Sequence, residues 1–96
     1  MQTVIRTYSG KGAKELFDAL ERHTADVEEL LRSVNGFVGY TLARSSDGGC
    51  SVTICEDKAG IDESVRKAKD WIAKNAESTG AAAPKLSEGT VIVHLR

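Results

Sequence analysis

The stretch "GFVGYTLARSSDGGCSVTICED", residues 36–57, reads as two strands around a tight turn, and its alternation decides the fold. Phe37 to Arg44 and Cys50 to Glu56 have strand character, and "SSDGG" between them supplies residues that tolerate positive φ. One face of this hairpin carries Val38, Tyr40, Leu42, Val52 and Ile54 and is expected to bear the helices. The other carries Gly39, Thr41, Ala43, Ser51, Thr53 and Cys55. Small and hydroxyl-bearing, this second face is neither a charged solvated surface nor an ordinary interior. It suits close approach by another sheet.

Upstream, "QTVIRTY" (2–7 and Tyr8) alternates and reads as a first strand, in which Arg6 and Tyr8 share a face of unassigned direction. Apolar residues then fall at Leu16, Leu20, Val27, Leu30 and Val34, helical spacing held over about six turns. His23 is the vacancy in that stripe. Thr24, followed by Asp26 and Glu28, offers an alternative helix start, but the unbroken phase predicts one long helix, bent at His23 if anywhere. Gly36 suits the left-handed position that ends it.

Downstream, Ile61, Val65, Ala68 and Ile72 mark one face of a second helix over about residues 60–77. Residues 78–89, "STGAAAPKLSEG", have no period and are expected to form a loop, with a lid as its candidate role. "TVIVHLR" (90–96) reads as the fourth strand. The order βαββαβ predicts one α+β, ferredoxin-like domain over 1–96, a four-stranded antiparallel sheet with both helices on one face. The uncovered face then predicts a homodimer joined through Gly39, Thr41, Ala43, Ser51 and Thr53, with Ile92 and His94 added from the last strand.

The residues quoted above, "VNGFVGYTLARSSDGGCSVTICED" followed by "DESVRKAKDWIAKN", resemble the dimeric α/β-barrel superfamily, and within it antibiotic-biosynthesis-monooxygenase-like domains. There a "PGF" ends the first helix and a tryptophan lies in the second; Asn35 stands where proline is usual, which affects only the turn. The resemblance implies two subunit sheets closing a barrel, with a pocket between each sheet and its helices. Members include cofactor-independent oxygenases, haem-binding and haem-degrading proteins and isomerases, so the fold does not select an activity.

Composition narrows the partners. Thirteen basic against fourteen acidic residues give a formal charge of −1, without the basic footprint of nucleic-acid binding. The N-terminal "MQTVIRTYSGKG" has no signal-like apolar run and nothing approaches a membrane span, so the cytoplasm is the expected compartment. Cys50 and Cys55 lie five residues apart on one strand, on opposite faces and roughly 16 Å apart, too far to bridge. Without CxxC or a nearby histidine they lack metal-site spacing, and no metal or cofactor is assigned. An RNA-recognition motif would need aromatics on the central strands, and "CSVTICE" has none.

Candidate site residues follow. His23, facing the sheet from an apolar stripe, is a core histidine or a pocket base; Tyr40 beside it and Trp71 at the edge of the second helix complete a candidate pocket. The turn Gly10, Lys11 and Gly12 precedes a helix start, where exposed N–H groups can hold an anion, although it is neither a P-loop nor GxGxxG. The expected function is binding of a small apolar or aromatic molecule, extending to a cofactor-independent monooxygenase. The alternatives are a non-catalytic accessory or stress-type dimer with a filled core, and a haem-binding protein using His23 or His94.

Overall fold

The structure, a computed structural model, describes residues 1–96. The hairpin forms as its alternation demands: β2 (Phe37–Ser45) and β3 (Gly48–Cys55) pair antiparallel. β1 (Gln2–Ser9) pairs with β3 on one side and with β4 (Lys85–Thr90) on the other, giving the sheet order β2-β3-β1-β4. Helices α1 (Ala13–Arg22), α2 (Thr24–Arg32) and α3 (Lys58–Asn75) complete a ferredoxin-like α+β fold. Asp57 caps α3 by accepting from the Gly60 N–H at 3.1 Å. Gly36 takes φ 74° in the turn into β2, as expected.

The predicted long helix is two helices. His23 sits at φ −121°, ψ 33°, its N–H bonding Leu20 O and its carbonyl accepting from Val27 N–H. A second helix does start here, with His23 and not Thr24 in the cap position, and Asp26 in the first turn of α2 matches the helix dipole. The apolar stripe survives the break: Leu16, Leu20, Val27 and Val34 are buried, and at its remaining position Leu31 is buried while Leu30 is only half-buried.

Register assigns the faces, because directly opposed residues point the same way. Leu42, Ser51, Arg6 and Leu86 form one row, and Tyr40, Thr53, Val4 and Glu88 another. Val4, Arg6, Tyr8, Ser51, Thr53 and Cys55 are buried, so these rows lie under the helices. The expected assignment therefore holds for Tyr40 and Leu42 and is reversed for β3. Ser51 and Thr53 do not belong to an open face; Gly39, Thr41, Ala43, Cys50, Val52, Ile54 and Ile5 share it instead. A register shift between Phe37 and Gly39 interrupts the alternation at Val38.

The reversal has a packing cause. α1 crosses β3 so closely that a Cβ at Gly49 would stand 2.4 Å from the Phe17 ring and 2.4 Å from the Ala43 carbonyl. Small side chains are required on the helix face of β3, and branched ones are left for the other face. Thr53 fits by size but carries a polar cost: its Oγ1 is buried with no hydrogen-bond partner. Thr53→Val is expected to raise stability by about 1 kcal/mol, read as a higher urea midpoint at unchanged slope. A lower midpoint would mean that the hydroxyl has a bonded partner in solution.

The last strand also shifts. β4 covers Lys85–Thr90, inside the segment expected to be a loop, while Val91–Arg96 lies outside the sheet. Edge pairing is a backbone property, and β1 runs out at its own first residues: Gln2 opposes Thr90 and Met1 O accepts from Val91 N–H. Beyond Val91 the segment "IVHLR" overhangs with no strand beside it. Ile92 and Leu95 are 94% and 86% exposed, and His94 is half-buried in the same overhang, so neither Ile92 nor His94 lies on a sheet face.

Candidate functional site

The C-terminal half of α3 presents Ala68 and Ala73, with Ala76 just past its end, where larger residues would fill space, and "AAAP" (81–84) approaches from the other side with equally short side chains. Between them and the β1–β4 part of the sheet lies a cleft of about 520 Å³. Leu16, Val65, Ile72 and Leu86 make its apolar walls, and Arg6 and Tyr8 line it from β1. This volume lies within the ordinary range for small-molecule sites. Arg6, Tyr8, Ala68 and Ile72 also border a narrow void of about 20 Å³ that reaches Tyr40, Ser51 and Trp71.

Arg6 is the chemical centre of this region. It is 3% exposed, the one charged residue among the buried set, and no carboxylate lies within ion-pair distance. Its Nε donates to Ser51 Oγ at 3.0 Å and its Nη1 reaches the Ser64 carbonyl at 3.5 Å. Burial raises the Tyr8 phenol above its usual range, against the lowering pull of Arg6 and with a smaller upward push from Tyr40. Burial raises Tyr40 likewise, against Arg6 and hydrogen bonding to Ser51. Both phenols therefore keep their protons at neutral pH and are available as O–H donors.

Of the expected pocket residues, the structure brings Tyr40 and Trp71 together at the narrow void but leaves His23 outside both cavities. The helix break turns the imidazole outward: its side chain is 42% exposed, 3.5 Å from Asp26, with its ring edge-on to Trp71 at 5.7 Å between centroids. Arg6 and Tyr8 were the residues that the sequence reading left unplaced. The signal was present in β1, where Arg6 sits in phase with Val4 and Tyr8 at the strand period.

The Gly10, Lys11 and Gly12 turn is built for packing. A Cβ at Gly12 would lie 2.5 Å from the Ala81 nitrogen, so the glycine admits the chain that closes the cleft. Lys11 and Arg22 share a polar depression with the carboxylates of Glu15 and Asp18, so it carries no net positive charge to draw an anion. Cys50 and Cys55 are free and on opposite faces; burial, then Asp57 and Glu63, push the Cys55 thiol up, leaving it protonated and inert. No three His, Cys, Asp or Glu side chains converge as metal ligands, and no helix is long and apolar enough to cross a membrane.

No protein-family model matches the chain, and no curated protein does. Solved structures do. A monooxygenase from Streptomyces coelicolor, in complex with nanaomycin D, superposes with TM-score 0.63 at 22% identity, over 99% of this chain and 90% of that one. The haem-degrader MhuD from Mycobacterium tuberculosis, with two haems in its active site, gives TM-score 0.65 at 19% identity, covering 99% of this chain and 98% of that one. This chain has their fold. A dimeric ferredoxin-like protein from an uncultured marine organism gives TM-score 0.63 at 12% identity, covering 99% and 95%. The likeness to antibiotic-biosynthesis-monooxygenase-like proteins that residues 34–57 and 62–75 suggest is thus a likeness of fold.

Proposed function

We propose that the protein binds a small, flat, largely apolar molecule in the cleft beneath α3, as a cytoplasmic homodimer of monooxygenase type. The observation that carries this reading is the cleft of about 520 Å³ with a buried polar pole at Arg6 and Tyr8. Apolar walls with a few convergent polar groups are the ordinary build of a ligand site. As a cofactor-independent oxygenase it would hold an electron-rich substrate against Arg6, Tyr8 and Tyr40 while dioxygen acts as the oxidant. Two proteins of the same fold, one a monooxygenase and one a haem degrader, support that chemistry by analogy. The free thiols support a reducing compartment.

The dimer is supported by the uncovered sheet face and by the overhang. Ile5, Val52 and Ile54 stand on that face, and Ile92, Val93 and Leu95 extend past it with unpaired backbone. A second copy supplies both the opposing sheet and a neighbouring strand edge. A filled-core accessory dimer is disfavoured by the cleft itself. Haem ligation through His23 or His94 does not fit either, since no histidine lines the cleft.

Ala68→Phe tests the site. Ala68 lines both cavities from α3, half-buried, so a phenyl ring there takes up the ligand's volume. Affinity for flat aromatic probes is expected to fall at least about tenfold while the unfolding midpoint stays near wild type. Unchanged affinity would remove the cleft from the function.

A further inference from the structure

A guanidinium has five N–H donors in a planar fork and a fixed charge. In Arg6 two of those donors are engaged, by Ser51 Oγ and the Ser64 carbonyl, both neutral acceptors. Arg6 lines the cleft, and its charge has no counter-ion inside the fold. Lys69 and Glu77 also line the cleft, but both are exposed, where solvent screens them. Burying a charge without a partner is unfavourable, and a carboxylate is the group whose charge and two oxygens best complement a guanidinium.

We propose that the cleft selects an anion: its ligand is a flat, apolar-bodied monocarboxylate whose head group docks on the Arg6 guanidinium. The phenol of Tyr8 lines the same cleft as an O–H donor, while that of Tyr40 lies at the narrow void that Arg6 also borders. Ser51 and Ser64 hold the fork in its plane from the neighbouring strand and from α3. The apolar body lies along Leu16, Val65, Ile72 and Leu86. One buried cation with no second one beside it favours a single negative charge over a phosphate dianion. The assignment rests on the cleft being the binding site, and the experiment separates the two.

Calorimetric titration with 2-naphthoate and with 2-naphthamide, equal in shape and different in charge, is the test. The wild-type protein is expected to bind the naphthoate roughly 10- to 100-fold more tightly. Arg6→Met removes that preference by weakening naphthoate binding far more than naphthamide binding. The same substitution leaves the thermal midpoint of the ligand-free protein at or above the wild-type value, because it deletes an unpaired buried charge. A purely structural arginine would give a large drop instead. Where Arg6→Met does not fold, Arg6→Lys keeps the charge and loses the fork, and a preference reduced several-fold sustains the assignment. Equal wild-type affinities for the two probes, or a preference unchanged in either variant, would overturn the anion assignment and leave the cleft standing. Binding of neither probe to the wild-type protein would overturn the cleft reading beneath it.

Discussion

Phe17→Ala is expected to destabilise the protein by about 3–5 kcal/mol. The ring is 1% exposed, meets Tyr8 edge-on at 5.9 Å between centroids, and closes on the bare backbone at Gly49. Arg44, tied to Asp18 at 2.9 Å and Glu21 at 2.8 Å, lies 6.0 Å from the ring centre and covers its outer side. None of these neighbours can follow a truncated side chain: Gly49 has nothing to extend, and Tyr8 is fixed in the central strand β1. A cavity therefore remains, and it adds to the lost burial. A chain of 96 residues has roughly 5–14 kcal/mol of stability in total, so the variant is left with a small margin. Thermal unfolding at matched protein concentration should show a midpoint roughly 15–30 °C lower. A shift of only a few degrees would mean that α1 collapses onto β3, and that Phe17 is not what keeps Gly49 side-chain-free.

Ile54→Lys is expected to leave the fold intact and to raise the dissociation constant of the proposed dimer at least about 100-fold. Ile54 opposes Thr3 on β1 and Gly39 on β2, on the face without helices, and is half-buried within one chain. There a lysine stem can lie along Ile5 and Val52 with its ammonium in water. Between two such faces it would be desolvated with no acceptor, and central interface positions are where single substitutions cost most. Analytical ultracentrifugation across micromolar concentrations distinguishes the outcomes. A wild-type dimer and a variant monomer of equal thermal stability in the dilute limit support the sheet-to-sheet interface. A variant that still dimerises would move the interface elsewhere, with the Val91–Arg96 overhang the next surface to truncate.

Local pattern made most of the elements legible. The β2–β3 hairpin, the glycine that turns the chain into β2, α3 with its Ile61–Val65–Ala68–Ile72 face, and the ferredoxin-like order all follow from alternation, helical spacing and turn residues, which are properties of neighbours in sequence. The candidate site was legible only in part. Tyr40 and Trp71 stand out in the sequence as aromatic residues, and His23 as the vacancy in an apolar stripe. Arg6 was hidden because an arginine in a strand ordinarily points to solvent, and only β1's place in the middle of the sheet, with Ser51 opposite, buries it.

The sequence by itself determined where the chain is strand, helix or turn, to within the break at His23 and the position of β4, because those choices are made by residues a few places apart. The tertiary structure decided which face of β3 lies inside, since that depends on how closely α1 passes Gly49. It also decided that β4 is "KLSEGT" and not "TVIVHLR", since an edge strand forms where a partner backbone exists, whatever its side chains. Most of all it decided that alanines from two distant segments leave a cleft beside a buried arginine, a juxtaposition with no trace in any local pattern.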